Sequence, residues 1–392
     1  MVKILDLYCG MGGLSLGFAL GLEGAEILGL DIDKDAVATY NLNLNKYGCR
    51  AEVQDVLKWS PRGDFDLIIG GSPCEPFSIA NTKRRGEDHP LYPTFPKYFD
   101  IVLTLKPKAF LLENVKGLLT KAHRYLLERQ LRRVNKHYKV KYKVLNASLF
   151  GVPQRRERLF ILGIRKDINV EPSFPSETHA PHPYVAIDGR KVEKWISTRE
   201  AIGDLLAIPP KGLILSKEQI EKIRREREDT SRHFSKMAFP DNLDMPSRTI
   251  SSHTVEGTKR ETIVIPVSEH VITKKGGWDN EKSNWGSRII PLDKPSYTIT
   301  EKHRCGQLVK TYETGYRRLS VRECLRLQSF PDWWRFPIFV STSRKYKLVG
   351  EAVPPILAYR LATHIGMIMG LRTKRPRKED FDLPYFERTF IS

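Results

Sequence analysis

The first 31 residues carry the pattern that most restricts the fold: an apolar strand, a glycine-rich turn, an apolar helix and a second apolar strand that ends in an acid. Residues 3–8 predict the first strand and residues 25–31 the second, with Gly10, Gly12 and Gly13 in the turn. Units of this kind build parallel sheets in α/β proteins. The glycines also let the backbone approach a ligand closely.

This order suits a site for an adenosine-bearing ligand. Asp31 ends the second strand about 20 residues after Gly10, where a carboxylate accepts the ribose hydroxyls. The dinucleotide fingerprint requires a third glycine where this chain has Ser15. A ligand without a pyrophosphate, such as S-adenosylmethionine, therefore fits better than a dinucleotide, and a dehydrogenase is disfavoured. An ordinary tight turn in an α/β fold is the alternative interpretation of the glycines.

Strands and helices continue to alternate to about residue 168. We predict strands at 51–54, 64–70, 109–112, 142–146 and 159–164, and helices at 35–44, 94–105 and 122–136. This alternation indicates a parallel sheet. Asp55 follows the strand at 51–54, where it is placed to accept the adenine amino group with Val56 against the ring. A helix cap or a surface acid is the simpler interpretation of Asp55 taken alone.

The character of the sequence changes near Asn169. A proline-rich stretch without a clear period is followed by a charged helix predicted at 216–229 and by a region rich in Thr, Ser, Gly and β-branched residues. Residues 245–250 and 294–299 echo each other, either as repeated turn-plus-strand units or by chance. Helical pattern returns from Ser320, and the basic stretch 371–378 is expected to fray.

We therefore predict four segments. A catalytic and cofactor-binding domain occupies 1–168, and a β-rich inserted domain occupies 169–315. The chain returns to the catalytic domain at 316–370 and ends in a basic tail at 371–392.

Composition limits the classes of function. Hydrophobic residues make up 40% of the 392 residues, enough for a sizeable core, and no apolar run reaches the ~18 residues of a membrane span. The start of the chain lacks a signal-peptide layout, so we expect a cytoplasmic protein. Five cysteines without a Cys-x-x-Cys pair disfavour a disulfide framework and a zinc knuckle. The net charge of +19 favours a polyanionic partner, with a thermophile's basic surface as the alternative.

Cys74 lies between two prolines in a loop that follows an apolar strand. Ligands bind where parallel strands end, at the carboxyl edge of an α/β sheet. A lone cysteine is usually a small buried hydrophobe. A loop held between Pro73 and Pro76 exposes its thiol, however, and we therefore predict a functional thiol.

Two further motifs lie at strand ends. Glu113 ends an apolar strand, where burial would raise the pKa of the acid and let it protonate a ring nitrogen. Gln154, Arg156 and Arg158 share one face of a strand by alternation, and guanidiniums there bind a phosphate or a carbonyl oxygen. Taken singly, a capping acid and a solvated basic strand are the alternatives.

Together the motifs resemble those of the DNA (cytosine-5-)-methyltransferase family, of the prokaryotic restriction–modification type. The resemblance covers about 1–168 and 315–365, with six motifs in family order at residues 6–13, 73–74, 113–115, 154–158, 322–331 and 350–355. Tyr8 stands where the family usually has Phe. Glu75 replaces the usual Gln and Glu351 the usual Asn. We hypothesise that these two acids change loop closure or base-pair infill rather than the reaction.

The resemblance implies a fold and a chemistry. The fold is an α/β, Rossmann-like, S-adenosylmethionine-dependent methyltransferase domain with a smaller β-rich target-recognition domain inserted. Cys74 would add to carbon 6 of a flipped-out cytosine, and Glu113 would stabilise charge at N3. Arg158, with Arg156, would bind the carbonyl oxygen and the flanking phosphate and keep Cys74 ionised. The base that removes the carbon 5 proton is not identified, and no metal is required.

The resemblance also implies the binding residues. The set expected at S-adenosylmethionine, or at its product S-adenosylhomocysteine, is Tyr8, Gly10, Gly12, Gly13, Leu14, Asp31, Ile32, Asp55, Val56, Pro73, Glu351 and Val353. The inserted domain would read duplex DNA in the major groove. Its candidate contacts are Arg248, Lys259, Arg260, Lys274, Lys275, Arg288 and Arg304. We expect a monomer that acts on double-stranded DNA and does not bind a membrane. We also expect a partner restriction endonuclease that acts on the same DNA site.

Two rival functions remain. A tRNA cytosine methyltransferase has similar motifs, but its expected Cys-Phe-Thr signature is absent and the insertion is more elaborate and more basic than that group needs. A DNA-binding module without catalysis is disfavoured because Cys74, Glu113, Arg156 and Arg158 are intact.

Overall fold

A computed structural model of the protein describes residues 1–78, 86–205, 215–228, 243–249, 265–266, 316–317 and 319–390. The strands of its main sheet are β1 (Val2–Leu7), β2 (Ala25–Asp31), β3 (Cys49–Val53), β4 (Leu67–Gly71), β5 (Ala109–Asn114), β6 (Tyr138–Asn146) and, after the short β7 (Gln154–Arg155), β8 (Glu157–Arg165). Further short strands are β9 (His179–Ala180), β10 (Tyr184–Val185), β11 (Lys191–Lys194), β12 (Ser247–Arg248), β13 (Ile265–Pro266) and β14 (Tyr316–Arg317).

The helices alternate with these strands and then follow them. They are α1 (Gly13–Gly21), α2 (Lys34–Leu44), α3 (Thr94–Leu105), α4 (Arg124–Val134), α5 (Thr198–Ile202), α6 (Lys217–Glu228), α7 (Val321–Leu327), α8 (Thr342–Glu351), α9 (Pro355–Ile368), α10 (Lys378–Phe381) and α11 (Phe386–Phe390). Short 3-10 turns occupy 45–47, 86–88, 116–119, 147–150, 166–168 and 203–205. The predicted helices near 35–44, 94–105, 122–136 and 216–229 are thereby confirmed.

The seven-stranded sheet has the order β3-β2-β1-β4-β5-β8-β6. The first five strands pair in parallel, as the alternation of strands and helices predicts. The prediction of a parallel sheet is wrong for β8, which runs antiparallel to both β5 and β6. Residues 147–156 between β6 and β8 are too few for the crossover of about a dozen residues or more that parallel strands need.

Buried apolar side chains cover both faces of the sheet. On one face α1 packs against α9, and on the other α3 and α4 supply Phe95, Phe99 and Leu126. The α1–α9 contact depends on Gly17, because a Cβ built there would lie 2.3 Å from the Cβ of Ala358. Helix α9 is thereby held against α1.

The C-terminal tail differs from the prediction that it frays. The amide of Glu23 donates to the Arg372 carbonyl at 3.0 Å, and the amide of Lys374 donates to Gly21 at 3.1 Å. Beyond the basic stretch, Phe381 and Phe390 are buried in the core. These aromatic side chains bury enough apolar area to order the tail. The sequence did not indicate this order, because the basic residues at 371–378 suggested an exposed end.

The described parts of the inserted segment form small sheets. In one, β11 lies between β9 and β10; β12 pairs with β7, and β13 with β14. Residues 294–299 of the sequence echo lie outside the described residues, as do the predicted contacts from Lys259 to Arg304 and the side chain of Arg248. Within the described ranges, none of the helices has the length and apolar character needed to cross a bilayer.

Candidate active site

The loop that carries Cys74 and the strand that carries Glu113 meet at the carboxyl edge of the sheet. Cys74 follows β4, and Glu113 lies at the end of β5, where it is the register partner of Gly71. A Cβ built on Gly71 would lie 3.1 Å from Oε2 of Glu113. The glycine therefore leaves room for the carboxylate beside the thiol loop, a requirement that the sequence analysis did not identify.

The neighbour of Glu113 fixes the loop. The Nδ2 atom of Asn114 donates to the carbonyl oxygen of Ser72 at 3.1 Å and to its hydroxyl at 3.0 Å. All three groups are buried, so these hydrogen bonds are protected from competition by water. Residue 114 thus holds the start of the segment from Ser72 to Cys74 in place.

Glu113 forms an ion pair with Arg158 on the neighbouring strand β8. The Nε of Arg158 lies 3.0 Å from Oε1 of Glu113, and the two side chains are only 13% and 11% exposed. Burial raises the pKa of Glu113, while Arg158 and then Arg156 lower it. The acid is thus both partly paired and easier to protonate than an exposed glutamate.

The surroundings of the half-buried Cys74 favour the neutral thiol over the thiolate. Burial first, and then the charge of Glu75, raise the pKa of the Cys74 thiol to about 12, although Arg158 opposes the rise. Glu113 and Glu351 raise the pKa as well. Arg158 lowers the pKa of Cys74 in the expected direction, while burial and the three acids act against ionisation, so the role of the arginines in keeping Cys74 ionised stays a prediction.

The two acids that depart from the family pattern both influence the thiol of Cys74. We expected Glu75 and Glu351 to influence loop closure or base-pair infill and not the reaction. The charge of each also raises the pKa of Cys74, and the hypothesis about loop closure and base-pair infill stays a prediction. Burial also raises the pKa of Glu351 to about 7, although 37% of its side chain is exposed and Lys347 lies 3.5 Å away.

Arg156 has a different position from the one predicted. It stands between β7 and β8, is 2% exposed, and donates from Nη1 to the Gly350 carbonyl at 3.0 Å. That carbonyl belongs to the last turn of α8, where carbonyl groups lack a partner within the helix. Gln154 donates to the Leu327 carbonyl at 3.4 Å. Gln154 and Arg156 thus contact carbonyl groups of later segments, whereas Arg158 forms an ion pair with Glu113, whose pKa Arg156 also lowers.

The expected cofactor site lies where β1 and β2 end. The amide of Gly10 donates to Oδ2 of Asp31 at 2.8 Å, and the amide of Asp33 donates to Oδ1 at 2.9 Å. Gly10 and Gly12 have φ of 52° and 95°, the left-handed region that favours glycine. Burial raises the pKa of Asp31 to about 6, against the lowering effect of the Gly10 hydrogen bond and Arg344.

These residues fit an adenosine-bearing ligand. Nothing lies within 4 Å of a Cβ built on Gly10, so the loop has open space above it. Beside it, the carboxylate of Asp31 retains lone pairs for hydroxyl groups. The next residue, Ile32, is 67% exposed, which offers an apolar surface to a flat ring.

The remaining predicted cofactor residues are mostly engaged within the protein. The hydroxyl of Tyr8 donates to the Thr94 carbonyl at 2.8 Å. Asp55 accepts from the amide of Leu57 at 3.0 Å, as the cap interpretation predicts. Leu14 and Val56 are buried, and Pro73 is half-buried.

The structure explains why Ser15 stands where the dinucleotide fingerprint requires glycine. Its hydroxyl donates to Oδ2 of Asp6 at 2.6 Å and accepts from the hydroxyl of Tyr40 at 2.9 Å. All three side chains are buried, and burial raises the pKa of Asp6 to about 7. The residue that breaks the dinucleotide fingerprint thus forms the polar support beneath the glycine turn.

The segment after α8 closes over the glycine turn. A Cβ built on Gly13 would lie 2.1 Å from the carbonyl oxygen of Val353, so the two backbones are in direct contact. Gln328 donates to the Ala352 carbonyl at 2.6 Å. The turn and the 352–353 segment therefore form two sides of one site.

A cavity of about 470 Å³ opens beside Arg158, the ion-pair partner of Glu113. Its lining is Ser78, Val115, Lys116, Gly117, Asn146, Arg155, Glu157, Arg158 and Thr249. The hydroxyl of Thr249, from the inserted segment, donates to the Arg155 carbonyl at 3.0 Å. Sequence reasoning missed Lys116, Asn146 and Thr249, because no local pattern shows that these distant residues meet.

Comparison with known proteins identifies the relatives of this chain. The model of the family described as C-5 cytosine-specific DNA methylase matches residues 2–367. The type II methyltransferase M.FnuDI of Fusobacterium nucleatum is 31% identical, over 93% of this chain and 94% of its own. The type II methyltransferase M.AplI of Arthrospira platensis is 30% identical, over 95% of this chain and 88% of its own.

Solved structures share the fold. The Entamoeba histolytica methyltransferase EhMeth matches with a TM-score of 0.63 and 13% identity, over 94% of this chain and 98% of that one. A putative DNA modification methyltransferase encoded within an Escherichia coli prophage matches with a TM-score of 0.55 and 21% identity, over 94% of this chain and all of that one. The predicted α/β methyltransferase fold is confirmed by these similarities.

Proposed function

We propose a mechanism for a chain that belongs to the C-5 cytosine-specific DNA methylase family and that methylates cytosine in DNA at carbon 5. In this mechanism Cys74 forms a covalent bond to carbon 6 of a flipped-out cytosine, and S-adenosylmethionine supplies the methyl group. The observation that carries the proposal is the convergence of Cys74, Glu113 and Arg158 at the edge where β4 and β5 end.

S-adenosylmethionine, when bound, supplies a methyl group on a positively charged sulfur. Asp31 is placed to hold its ribose hydroxyls, and Ile32 is placed to cover one face of its adenine. Val353 and the turn at Gly13 exclude water from two sides. These groups hold the donor in one orientation, which removes much of the entropic barrier to transfer.

Cys74 begins the reaction. The thiol proton passes to solvent, the sulfur bonds to carbon 6, and the ring electrons move to carbon 5. Carbon 5 then takes the methyl group, and the electron pair of the broken sulfur–methyl bond stays with the product S-adenosylhomocysteine. The carbon 5 proton passes to solvent, the sulfur–carbon bond breaks with its electrons returning to sulfur, and the thiolate regains a proton from solvent, which restores the aromatic ring and the thiol.

The protonation state of Glu113 affects both the bound base and the pKa of the Cys74 thiol. Protonated Glu113 donates to N3 of the ring and stabilises the negative charge that addition creates. Its protonation also removes one of the negative charges that raise the pKa of Cys74. Binding a base at Glu113 therefore makes ionisation of the thiol easier at the moment when it attacks.

The flipped base enters through the 470 Å³ cavity next to Arg158. Flipping is required because a thiol on a protein loop does not reach carbon 6 inside a stacked duplex, and it costs a few kcal/mol. Lys116 and Arg155 at the cavity offer positive charge to the phosphates beside the base. The net charge of +19 supports a DNA duplex as the partner.

The test is transfer of tritium from labelled S-adenosylmethionine to plasmid DNA, followed by bisulfite sequencing. We expect methyl groups on carbon 5 at one short sequence for the wild type and none for Cys74→Ser. Cys49→Ser is the matched control, because Cys49 is buried away from the site on β3 and should leave transfer intact. Transfer to tRNA and not to DNA would contradict the proposal, as would full activity of Cys74→Ser.

The similarity to type II methyltransferases also supports a restriction–modification role. We expect a partner endonuclease that cuts the same sequence when it is unmethylated. Plasmid DNA purified from cells that express this chain should then resist that endonuclease, and DNA from cells that express Cys74→Ser should be cut.

A further inference from the structure

We infer that Arg344 is a positioning residue for the methyl donor, which deepens the proposed function and rests on it. Arg344 lies in the first turn of α8 and forms ion pairs with Asp33 and Asp35. It thereby fastens α8 to the segment that follows Asp31. Neither the motifs nor the predicted binding set contains this residue.

The contacts form a bridge between two distant parts of the chain. Asp33 is the N-cap of α2, and its side chain accepts the amides of Asp35 and Ala36. The Nε of Arg344 lies 3.3 Å from Oδ2 of Asp35, and Nη2 contacts Asp33 directly. The arginine is 25% exposed and its partners 23% and 34%, so the bridge is partly shielded from water.

The two acids are tied to the acid expected at the ribose. The amide of Asp33 donates to Oδ1 of Asp31, whose other oxygen accepts the Gly10 amide. The positive charge of Arg344 also lowers the pKa of Asp31, against the effect of burial. Arg344 thus acts on the orientation of Asp31 through Asp33 and on its ionisation through space.

The other end of α8 reaches the rest of the site. Gly350 and Glu351 lie at the end of α8, within seven residues of Arg344. This separation corresponds to about 10 Å along the helix axis. The Gly350 carbonyl is held by Arg156, and the following Val353 carbonyl rests on Gly13. One helix is therefore held by an arginine contact at each end, near Asp31 at its start and near Gly13 at its end.

This arrangement gives Arg344 a definite task. When the bridge is intact, the Asp31 side and the Val353 side of the site keep a fixed separation before the donor arrives. When it is broken, the donor must bring the two sides together itself, which weakens binding. Lysine keeps the charge but does not present the fork that holds two carboxylates, so it should restore only part of the effect.

The experiment measures the Kd for S-adenosylhomocysteine by equilibrium dialysis with the full chain and no DNA. We expect Arg344→Gln to raise this Kd about five- to tenfold and Arg344→Lys to raise it by less than about threefold. The KM for the donor in methyl transfer should rise in parallel, while kcat changes by less than about twofold. The Kd for a DNA duplex, measured by gel shift without the donor, should not move.

Arg165→Gln is the matched control. Arg165 forms a partly exposed ion pair with Asp167 at 2.7 Å on the opposite edge of the sheet, near the start of β5. Its loss should leave donor affinity unchanged. A Kd within twofold of wild type for Arg344→Gln would overturn the inference. So would a variant that loses donor and DNA binding together with a lower Tm, because that marks general misfolding. Failure of the wild type to bind S-adenosylhomocysteine would overturn the proposed donor as well.

Discussion

The raised pKa of Cys74 leads to a quantitative prediction about its reaction with iodoacetamide. The pKa of about 12 lies well above the reference value of 9.0. At pH 8 the thiolate fraction is then ~10⁻⁴, compared with ~0.1 for an unperturbed thiol. A more basic thiolate is intrinsically more reactive, by about 20-fold over this range. We therefore expect Cys74 in the free enzyme to react roughly 50-fold more slowly than in the unfolded chain.

The assay follows alkylation of the Cys74 peptide by mass spectrometry between pH 7 and pH 10. The rate should rise about tenfold per pH unit without a plateau, since the thiol stays mostly protonated throughout. Glu75→Gln removes the neighbouring charge with the largest effect on the thiol and should speed the reaction at every pH. The unfolded chain in guanidinium is the control. A plateau below pH 9, or equal rates for the folded and unfolded chains, would refute the reasoning.

Four further predictions concern stability and turnover. Gly17→Ala should lower the free energy of unfolding by roughly 1–3 kcal/mol in urea titrations, because the new Cβ would lie 2.3 Å from the Cβ of Ala358. As the control, Gly203→Ala should be almost neutral, because nothing lies nearer than 3.7 Å to a Cβ built there. Glu113→Gln should lower kcat about 10²–10⁴-fold in the tritium assay and leave DNA affinity within about twofold, and an equal fall in DNA affinity would count against its role. Burial raises the pKa of Asp6 from 3.8 to about 7 in the folded chain, so the folded state binds this proton more tightly than the unfolded state. The contribution of Asp6 to the free energy of unfolding is therefore fully present below pH 4 and is lost as pH rises through 7. The Tm of wild type should therefore fall more between pH 5 and pH 8 than that of Asp6→Asn, and equal slopes would contradict this. Ending the chain at residue 370 removes the buried Phe381 and Phe390, whose burial contributes roughly 1.5–3 kcal/mol each to the free energy of unfolding, so the Tm should fall. An unchanged Tm would show that the tail contributes nothing to stability.

The first half of the fold was predictable because its signals are local. Each strand that is buried on both faces reads as an apolar run, and each is followed by a helix with its own period. The reversal of β8 was not predictable from such runs. It depends on which edge of β5 remains free, a property of the assembled sheet. The order of the tail likewise depends on the surface that receives Phe381 and Phe390.

The site divides in the same way. The meeting of Cys74, Glu113 and Asp31 at one edge of the sheet was predictable, because each ends or follows an apolar strand and the ends of parallel strands lie together. The partner of Arg156 was not predictable, because Gly350 comes 194 positions later in the chain. For the same reason, the effects of Glu75 and Glu351 on the thiol required the structure, since Glu351 reaches Cys74 only through the packing of α8.

The measurement that tests the central claim most directly is covalent trapping on DNA. A duplex that carries 5-fluorocytosine at the target is incubated with the enzyme and S-adenosylmethionine. Fluorine at carbon 5 cannot leave as a proton does, so the adduct persists and its peptide is identified by mass spectrometry. The mechanism predicts a complex stable to denaturant, linked through Cys74 and absent with Cys74→Ser. A linkage through another residue, or rapid methyl transfer to ordinary DNA with no trapped complex, would contradict it.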